Sequence, residues 1–405
     1  MKNKSSFKKG VFAGVIGCLV VIAVVILTGG FVVSRLYDVG FMGIGDVAKA
    51  SSISKFIDKY YYKDVSDTKK KDGIYKGLMN SMDDPYSKYM TASEYKDELE
   101  DNSGQYVGIG VSVSKDNKNR VVVQQVFEGS SAAKAGIVKG DVIVSADGAF
   151  ASNLSLTQFT KKIRGRSGTD VTIVYTHDGA THTVKLRRAA VESPSVYGKM
   201  LDETSGIGYI EITEFNSKTQ KEFEKKLSEL KNQGMKAVIY DLRTNPGGLV
   251  DSVTKILDDL LPEGTTVYMM DKYGHKTTYS SDDKKQEKIP TVVLISGETA
   301  SAAEIFSGAV RDFKYGTLIG TKTFGKGIVQ QEFELNDGSA LKMTVETYYT
   351  PSGECIHKKG IKPDIELKYK YSGDPAKVTS MDTYDFSQDN QVQKGISVLK
   401  GKLEN

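Results

Sequence analysis

The 405-residue sequence contains only two cysteines and four histidines. Cys18 lies in an apolar run near the N-terminus and Cys355 in the polar body, so we expect no disulfide between them. The histidines stand singly, and there is no HExxH motif or Cys/His cluster. They are His177, His182, His275 and His357. A zinc site is therefore not expected, and no cofactor is predicted.

Charged residues are absent from residues 11–33, and acidic residues are absent from the first ten. At about 1.5 Å per residue, an uncharged helix over 11–33 would be about 34 Å long, which is enough to cross a bilayer. Lysines precede this run, so we predict a cytoplasmic basic tail at 1–10, a transmembrane anchor at 11–33 and an extracytoplasmic body. A cleaved signal peptide is the alternative, although its apolar region is usually only about 7–15 residues.

A strong excess of charge of one sign is also missing. The chain has 55 Lys and Arg against 51 Asp and Glu, and subtracting the four lysines of the first ten residues leaves 51 against 51. This balance gives no indication of a nucleic-acid partner. A hydrophobic content of 39% with 26% charged residues is typical of a globular body of two or three domains.

Two segments after the apolar run differ in their periodicity. Residues 45–100 have apolar side chains at helical spacing, interrupted by a turn at Asp83-Asp84-Pro85, and are predicted to be helical. Residues 104–188 contain short alternating runs separated by glycine turns, which predict strands. The lines YVGIGV and SSAAKAGIVKGDVIVSADG in this second segment resemble a PDZ domain.

The PDZ resemblance implies a peptide-binding function. In such domains, a glycine-rich loop holds the terminal carboxylate of a peptide through backbone N–H groups, and the peptide adds a strand to the sheet edge. Gly108, Ile109 and Gly110 match that loop. Protein or peptide substrates with apolar C-termini are therefore the expected partners.

Residues 191–370 alternate predicted strands and helices, which indicates an α/β layer with a largely parallel sheet. The segment 371–405 is polar, and a terminal helix or a dimerisation segment are the alternatives for it. The predicted fold class is thus an α/β peptidase core with a mixed, largely parallel sheet. An inserted β-rich PDZ domain, an N-terminal helical segment and one transmembrane helix complete it.

Three motifs in the α/β region have the residues that acyl transfer needs. The line DLRTNPGG places Gly247 and Gly248 at a strand-to-helix turn, where bare N–H groups can stabilise an oxyanion. The line TASAAE places Ser301 at a helix N-terminus, which favours developing negative charge. Taken alone, the DLRTNPGG line is better explained as a tight structural turn, and Ser301 is equally compatible with a simple helix N-cap.

The third motif, TFGKGIVQ, places Lys326 between two glycines ahead of an alternating strand. A lysine acts as a base only when neutral, and burial favours the neutral form. With a period of two, Gln330 shares a face with Lys326 and could orient its amine. A single lysine is more often a solvated surface charge, so this motif indicates a catalytic base only in combination with the other two motifs.

Taken together, these lines and the later YYTPSGECIHKKGIKPD resemble the C-terminal processing peptidases, or tail-specific proteases. The resemblance implies that Ser301 is the nucleophile, Lys326 the general base and Gln330 its support. It further implies an oxyanion hole from the backbone of Gly247 or Gly248 with that of Ala302. The PDZ domain would gate the site, with Arg164 as the candidate contact.

The chain is therefore predicted to be a membrane-anchored serine endopeptidase that recognises substrate C-termini. A PDZ adaptor with an inactive peptidase domain is the alternative, which the intact serine, lysine and glutamine set disfavours. A Ser-His-Asp hydrolase is excluded because no histidine falls in a suitable motif. The resemblance also allows a homodimer.

Overall fold

A computed structural model describes residues 43–192, 194–282, 284–374 and 381–404, together with positions 14, 17, 20, 21, 24 and 378. The chain divides into two units, with the boundary between Leu78 and Met79. The first unit contains helix α1 (Ile44–Tyr60) and most of helix α2 (Asp67–Asn80). Lys70 of α2 forms an ion pair with Asp58 of α1 at 2.8 Å, which joins the two helices.

After the end of α2, the second unit has a strand and a helix within the segment that is predicted to be helical. Strand β1 (Lys88–Met90) is followed by helix α3 (Ala92–Asn102). Thr91 caps α3, because its hydroxyl accepts the N–H of Glu94 while the Glu94 carboxylate accepts the N–H of Thr91. This capping box fixes where the helix starts.

A β-rich domain follows. Its strands are β2 (Gln105–Gly108), β3 (Val111–Lys115), β4 (Val121–Val126), β5 (Val142–Ala146), β6 (Ala149–Phe150), β7 (Asp170–His177), β8 (Ala180–Arg187) and β9 (Ala189–Glu192). Helices α4 (Ser131–Lys134) and α5 (Leu156–Ile163) pack on them. Strands β3, β4, β5, β7 and β8 form an antiparallel sheet with β3 at its edge. Alternate residues of β7 are buried in a separate apolar core, as a two-residue period requires.

A six-stranded sheet forms the centre of the α/β region. It has the order β10 (Val196–Asp202), β11 (Ile207–Ile212), β12 (Ala237–Asp241), β15 (Thr291–Ile295), β16 (Gly316–Gly320) and β19 (Ile365–Glu366). All neighbours from β11 onward pair in parallel, and β10 is antiparallel. Strands β12 and β15 are buried along their whole length, because helices cover both faces.

Helices α6 (Thr219–Asn232), α7 (Val250–Leu260) and α8 (Ala302–Asp312) pack on one face of this sheet. Helix α9 (Asn390–Leu403) packs on the other face, where Gly395 lies so close that an added Cβ would meet Ile239 at 2.9 Å. The predicted terminal segment therefore contains a helix that belongs to the core of this unit.

A second, antiparallel sheet lies beside the first. It contains β1, β13 (Gly264–Asp271), β14 (Lys276–Ser281), β17 (Ile328–Glu334) and β18 (Ala340–Tyr349). Strand β18 pairs with β1, β13 and β17, which brings the segment before β1 close to the residues that precede β17. This arrangement positions the candidate site.

The prediction of a single-pass membrane protein is wrong. In the part of the chain that the structure describes, no helix is both long enough and apolar enough to cross a membrane. The predicted anchor at 11–33 lies outside the described residues except at five positions, and the tail at 1–10 lies outside them entirely. The longest helix with described bounds, α1, has 17 residues and carries five charged side chains, whereas a bilayer core requires about 20 largely apolar residues.

Candidate active site

Ser301 connects strand β15 to helix α8 with a backbone conformation that is unusual for a residue with a side chain. Its φ of 54° and ψ of −120° lie outside the common regions, which costs on the order of 1–3 kcal/mol and is typical of functional turns. Its N–H donates to Glu304 Oε2 at 3.0 Å, and its carbonyl accepts the Tyr348 hydroxyl at 3.1 Å. The N–H of Glu304 donates to the Ser301 carbonyl at 2.8 Å, and none of the hydrogen bonds of the described residues involves the Ser301 hydroxyl. The backbone is thus fixed while the hydroxyl stays available.

Gly247 lies directly against Ser301. Its φ is +106°, and an added Cβ would lie 2.7 Å from Ser301 Cβ and 2.9 Å from Ala302 N. The Gly247 N–H donates to the Asn245 side-chain oxygen at 2.8 Å, so this group already has an acceptor. Asn245 is fully buried and also donates to the carbonyl of Ile212. Sequence reasoning missed Asn245, because nothing local distinguishes it from other turn residues.

The N–H groups of Gly248 and Ala302 differ from that of Gly247. Among the hydrogen bonds of the described residues, neither N–H has an acceptor. Gly248 is exposed, and Ala302 is the first residue of helix α8. Two N–H groups are therefore available beside Ser301 for a developing oxyanion.

Lys326 is half-buried, and its amine lies 4.7 Å from the centroid of the Tyr86 ring. Burial lowers the pKa of Lys326, and so does the nearby Lys342. The carboxylates of Asp84, Glu304 and Glu98 oppose this change in pKa. No hydrogen bond between the Lys326 amine and the Ser301 hydroxyl is found among the residues that the structure describes.

Gln330 lies in β17 and donates to the hydroxyl of Thr344 in β18 at 3.1 Å. The register of β17 against β18 shifts between Val329 and Gln330, so the simple two-residue alternation from Lys326 is interrupted there. The structure therefore places Gln330 next to Thr344, and the expected contact with Lys326 is not among the hydrogen bonds of the described residues.

Glu304 connects the serine turn to the lysine loop. Its side chain is fully buried and accepts four hydrogen bonds. Oε2 accepts the N–H groups of Ser301 (3.0 Å) and Lys326 (2.8 Å), and Oε1 accepts the N–H of Gly325 (2.7 Å) and the hydroxyl of Thr323 (2.5 Å). Burial raises the pKa of Glu304, and these hydrogen bonds counteract that effect. Sequence reasoning did not assign Glu304 any role.

The segment before β1 also belongs to the site. Ser87 donates to Asp84 Oδ2 at 2.6 Å and accepts the N–H of Thr344 at 3.0 Å. The N–H of Tyr86 donates to Asp84 Oδ1 at 3.0 Å. These bonds place Asp84 and Tyr86 beside Lys326, although the sequence predicted only a turn at this point.

The glycine-rich loop of the β-rich domain opens onto a groove of about 500 Å³ between edge strand β3 and helix α5. Apolar side chains line it: Ile109, Val111, Val113, Phe127 and Ile163. Arg164 also lines this groove, where it donates to Asp101 at 3.1 Å and its guanidinium lies 5.0 Å from the Tyr106 ring centroid. The structure thus pairs Arg164 with helix α3.

A larger cavity of about 1200 Å³ lies at the carboxyl ends of the parallel strands. It shares Gln125, Phe127, Tyr197 and Thr213 with the groove, and Gln125 donates to the Tyr197 hydroxyl at 2.9 Å. The groove and the strand ends are therefore adjacent. In the described part of the chain, no cluster of three or more His, Cys, Asp or Glu side chains is suited to a metal ion.

Comparisons with known proteins match this arrangement. The models of three families match the chain: peptidase family S41 at residues 206–367, the PDZ domain at 107–187 and the activating protease CtpB N-terminal domain at 38–94. A protein of Staphylococcus saprophyticus described as a probable CtpA-like serine protease is 34% identical over 368 residues, which cover 89% of this chain and 74% of that protein.

Solved structures give the same result. The photosystem II D1 C-terminal processing protease is 32% identical with a TM-score of 0.50, and the match covers 78% of this chain and 87% of that one. An S41 protease of Bacteroides fragilis is 16% identical with a TM-score of 0.54, over 86% of this chain and 97% of that one, and shows likeness of fold alone.

Proposed function

Because the chain belongs to peptidase family S41 and is a serine-type C-terminal processing peptidase, we propose that Ser301 is its nucleophile and Lys326 its general base. One observation carries this proposal. A single carboxylate oxygen of Glu304 accepts the backbone N–H of Ser301 at 3.0 Å and the backbone N–H of Lys326 at 2.8 Å. The two backbone nitrogens therefore lie no farther apart than the sum of these distances, 5.8 Å.

This arrangement supports the following chemistry. Neutral Lys326 takes the proton of the Ser301 hydroxyl as the oxygen attacks the scissile carbonyl, and it then gives that proton to the departing amine. The resulting acyl ester is hydrolysed by water, which regenerates Ser301. Burial of Lys326 supports this role because it lowers the pKa of the amine.

In this proposal, the N–H groups of Gly248 and Ala302 stabilise the tetrahedral oxyanion. The N–H of Gly247 is bonded to Asn245, so Gly247 contributes shape: its missing side chain leaves room beside Ser301. Gln330 supports Lys326 indirectly, through Thr344 and the Asp84 segment.

The PDZ domain would recognise the substrate. Edge strand β3 can accept an additional strand, and the loop Gly108-Ile109-Gly110 can hold a terminal carboxylate. The groove has both polar and apolar lining, and contacts with Ile109, Val111 and Ile163 would favour an apolar last residue. We retain a gating role for Arg164 as part of the proposal, with release from Asp101 as the step that would free it.

A homodimer is proposed as well. Helix α1 exposes Ile53, Phe56 and Tyr60 at helical spacing, and an exposed apolar stripe of this kind is typical of a contact surface. Sedimentation of wild type and Phe56→Glu tests this point. A shift of the variant to the monomer supports the dimer, and a wild-type monomer rejects it.

The test of the catalytic proposal uses the full chain as wild type, Ser301→Ala, Lys326→Ala and Lys322→Ala. Lys322 is an exposed lysine of the same loop and serves as the matched control. The substrate is an unfolded polypeptide with an apolar last residue, either with a free C-terminal carboxylate or amidated. Peptide binding is followed separately by fluorescence anisotropy.

We expect wild type and Lys322→Ala to cleave and to prefer the free carboxylate. Ser301→Ala and Lys326→Ala should lose turnover by about 1,000-fold or more while still binding the peptide. Unchanged turnover in Ser301→Ala or Lys326→Ala would remove the dyad. Peptide binding without turnover in wild type and in all three variants would favour the adaptor alternative.

A further inference from the structure

The amine of Lys326 lies on an aromatic ring that comes from far away in the sequence. Tyr86 is 240 positions before Lys326, and its ring centroid is 4.7 Å from Lys326 Nζ. The ring is firmly placed, because the backbone of Tyr86 donates to Asp84 and the next residue, Ser87, bonds to both Asp84 and Thr344. Strand β1, which follows, pairs with β18.

The carboxylates around Lys326 all have other partners. Asp84 accepts from Tyr86 and Ser87, and Glu304 of α8 accepts its four donors. Glu98 of α3 pairs with Lys88 at 2.9 Å and with Lys342 of β18. Lys342 also lies near Lys326, and it is a cation.

Among the described residues, no carboxylate lies within ion-pair distance of the Lys326 amine. The contact that the structure gives to this amine is the Tyr86 ring. The face of an aromatic ring attracts an ammonium group because of its quadrupole, and it attracts a neutral amine far less. The ring therefore distinguishes the two protonation states of Lys326.

On the basis of the proposed general-base function of Lys326, we propose that Tyr86 is a positioning residue that holds the ammonium form of Lys326 on its ring and thereby sets the pH at which the peptidase becomes active. Loss of the proton weakens the attraction to the ring and frees the amine to turn toward Ser301. Tyr86 would thus determine how much of the enzyme has a base ready to act at a given pH.

The experiment measures kcat/KM against pH for wild type, Tyr86→Leu, Tyr86→Phe and Tyr86→Trp. The leucine variant removes the ring, the phenylalanine variant keeps it without the hydroxyl, and tryptophan is the strongest ring for such contacts. We expect the rising limb of the curve of kcat/KM against pH to move to lower pH by about 0.5 to 1 pH unit in Tyr86→Leu. It should stay in place in Tyr86→Phe and move to higher pH in Tyr86→Trp.

Below the limb, Tyr86→Leu should then be about 3- to 10-fold more active than wild type, because more of its Lys326 is neutral. The pH dependence of Ser301 labelling by a fluorophosphonate provides a second measurement that needs no turnover. A limb at the same pH in Tyr86→Leu and Tyr86→Trp, with or without a lower kcat, would overturn the inference. Thermal unfolding of each variant identifies any that fail to fold, and the remaining ring variants then decide the matter.

The two proposals fail in different ways. If Lys326→Ala keeps its turnover, the general-base assignment is wrong and the inference about Tyr86 loses its premise. If Lys326→Ala is inactive and the rising limb of the pH profile lies at the same pH in all Tyr86 variants, only the role of Tyr86 is rejected.

Discussion

The carboxylate of Glu304 accepts the backbone N–H of Lys326 at 2.8 Å from a fully buried position. The same oxygen accepts the N–H of Ser301, three residues before Glu304 in the chain. Two loops from different parts of the sequence are thereby held on one side chain. A charged acceptor of several N–H groups gives strong and directional bonds, so the positions of Ser301 and Lys326 depend on Glu304.

Replacing Glu304 by glutamine keeps the size of the side chain but changes the hydrogen bonds that hold Ser301 and Lys326. The amide nitrogen of glutamine cannot accept, so one pair of donors, either Ser301 and Lys326 or Gly325 and Thr323, would face another donor. We expect a loss of about 2–4 kcal/mol of unfolding free energy and a fall in kcat of about 100-fold. Peptide affinity should stay within about twofold, because the PDZ groove does not include Glu304.

The matched control for this variant is Glu334→Gln, an exposed glutamate of strand β17. Its stability and its kcat should both stay close to the wild-type values. Denaturant unfolding and steady-state kinetics of the two variants provide the comparison. If Glu304→Gln and Glu334→Gln have the same unfolding free energy and the same kcat, the hydrogen bonds of Glu304 are not needed to position Ser301 and Lys326.

The close approach of Gly247 to Ser301 gives a second prediction. In Gly247→Ala, the new methyl group would lie 2.7 Å from Ser301 Cβ, in a backbone conformation of positive φ. We expect kcat to fall by 100-fold or more, since displacing Ser301, the proposed nucleophile, by about 1 Å should have an effect of that order. Gly274→Ala is the control, because Gly274 also has a positive φ of +87° but has open space around it.

Both alanine variants place a Cβ on a backbone of positive φ, which costs roughly 1–2 kcal/mol. Only Gly247→Ala adds the collision with Ser301. Kinetics and thermal unfolding of both variants distinguish the two effects. A similar loss of kcat in Gly274→Ala would mean that general destabilisation, and not contact with Ser301, is the cause.

The turns that contain Ser301, Gly247 and Lys326 could be placed from the sequence, because each has a local signal of a strand followed by glycine or by a helix start. The groups that hold these turns together could not. Glu304 and Tyr86 contact Lys326 from 22 and 240 positions away in the sequence, and no local periodicity predicts contacts over such separations. The shift of register before Gln330 is likewise a property of the pairing between two strands.

The C-terminal segment shows the same limit. A terminal helix is one of the two alternatives for residues 371–405, and the structure has helix α9 there. Its attachment depends on fully buried Asp389, which accepts from Arg243 at 2.8 Å across 146 positions. Asp389 also caps the helix through the N–H groups of Gln391 and Val392. A polar composition alone could not distinguish such a buried pair from a solvated tail.

Glu211 gives a prediction about stability and pH. It lies beside Asp241 on neighbouring parallel strands, and Arg243 is already bonded to Asp241 and Asp389. Burial, and then the charge of Asp241, raise the pKa of Glu211 from 4.5 to about 7. Between these two values the folded chain keeps a proton that the unfolded chain has lost. The stability that comes from burying Glu211 in its uncharged form is therefore fully present at low pH and is lost as the pH rises through 7.

Glu211→Gln should remove this dependence. We expect the variant to match wild type within about 0.5 kcal/mol at pH 4.5 and to exceed it by about 1–3 kcal/mol at pH 8, because wild type must then bury a charge that glutamine lacks. Denaturant unfolding from pH 4.5 to 8.5 measures the difference, with Glu203→Gln, an exposed glutamate before β11, as the control. Stability curves of Glu211→Gln and wild type that remain parallel over this range would show that the pKa of Glu211 in the folded chain is close to its ordinary value.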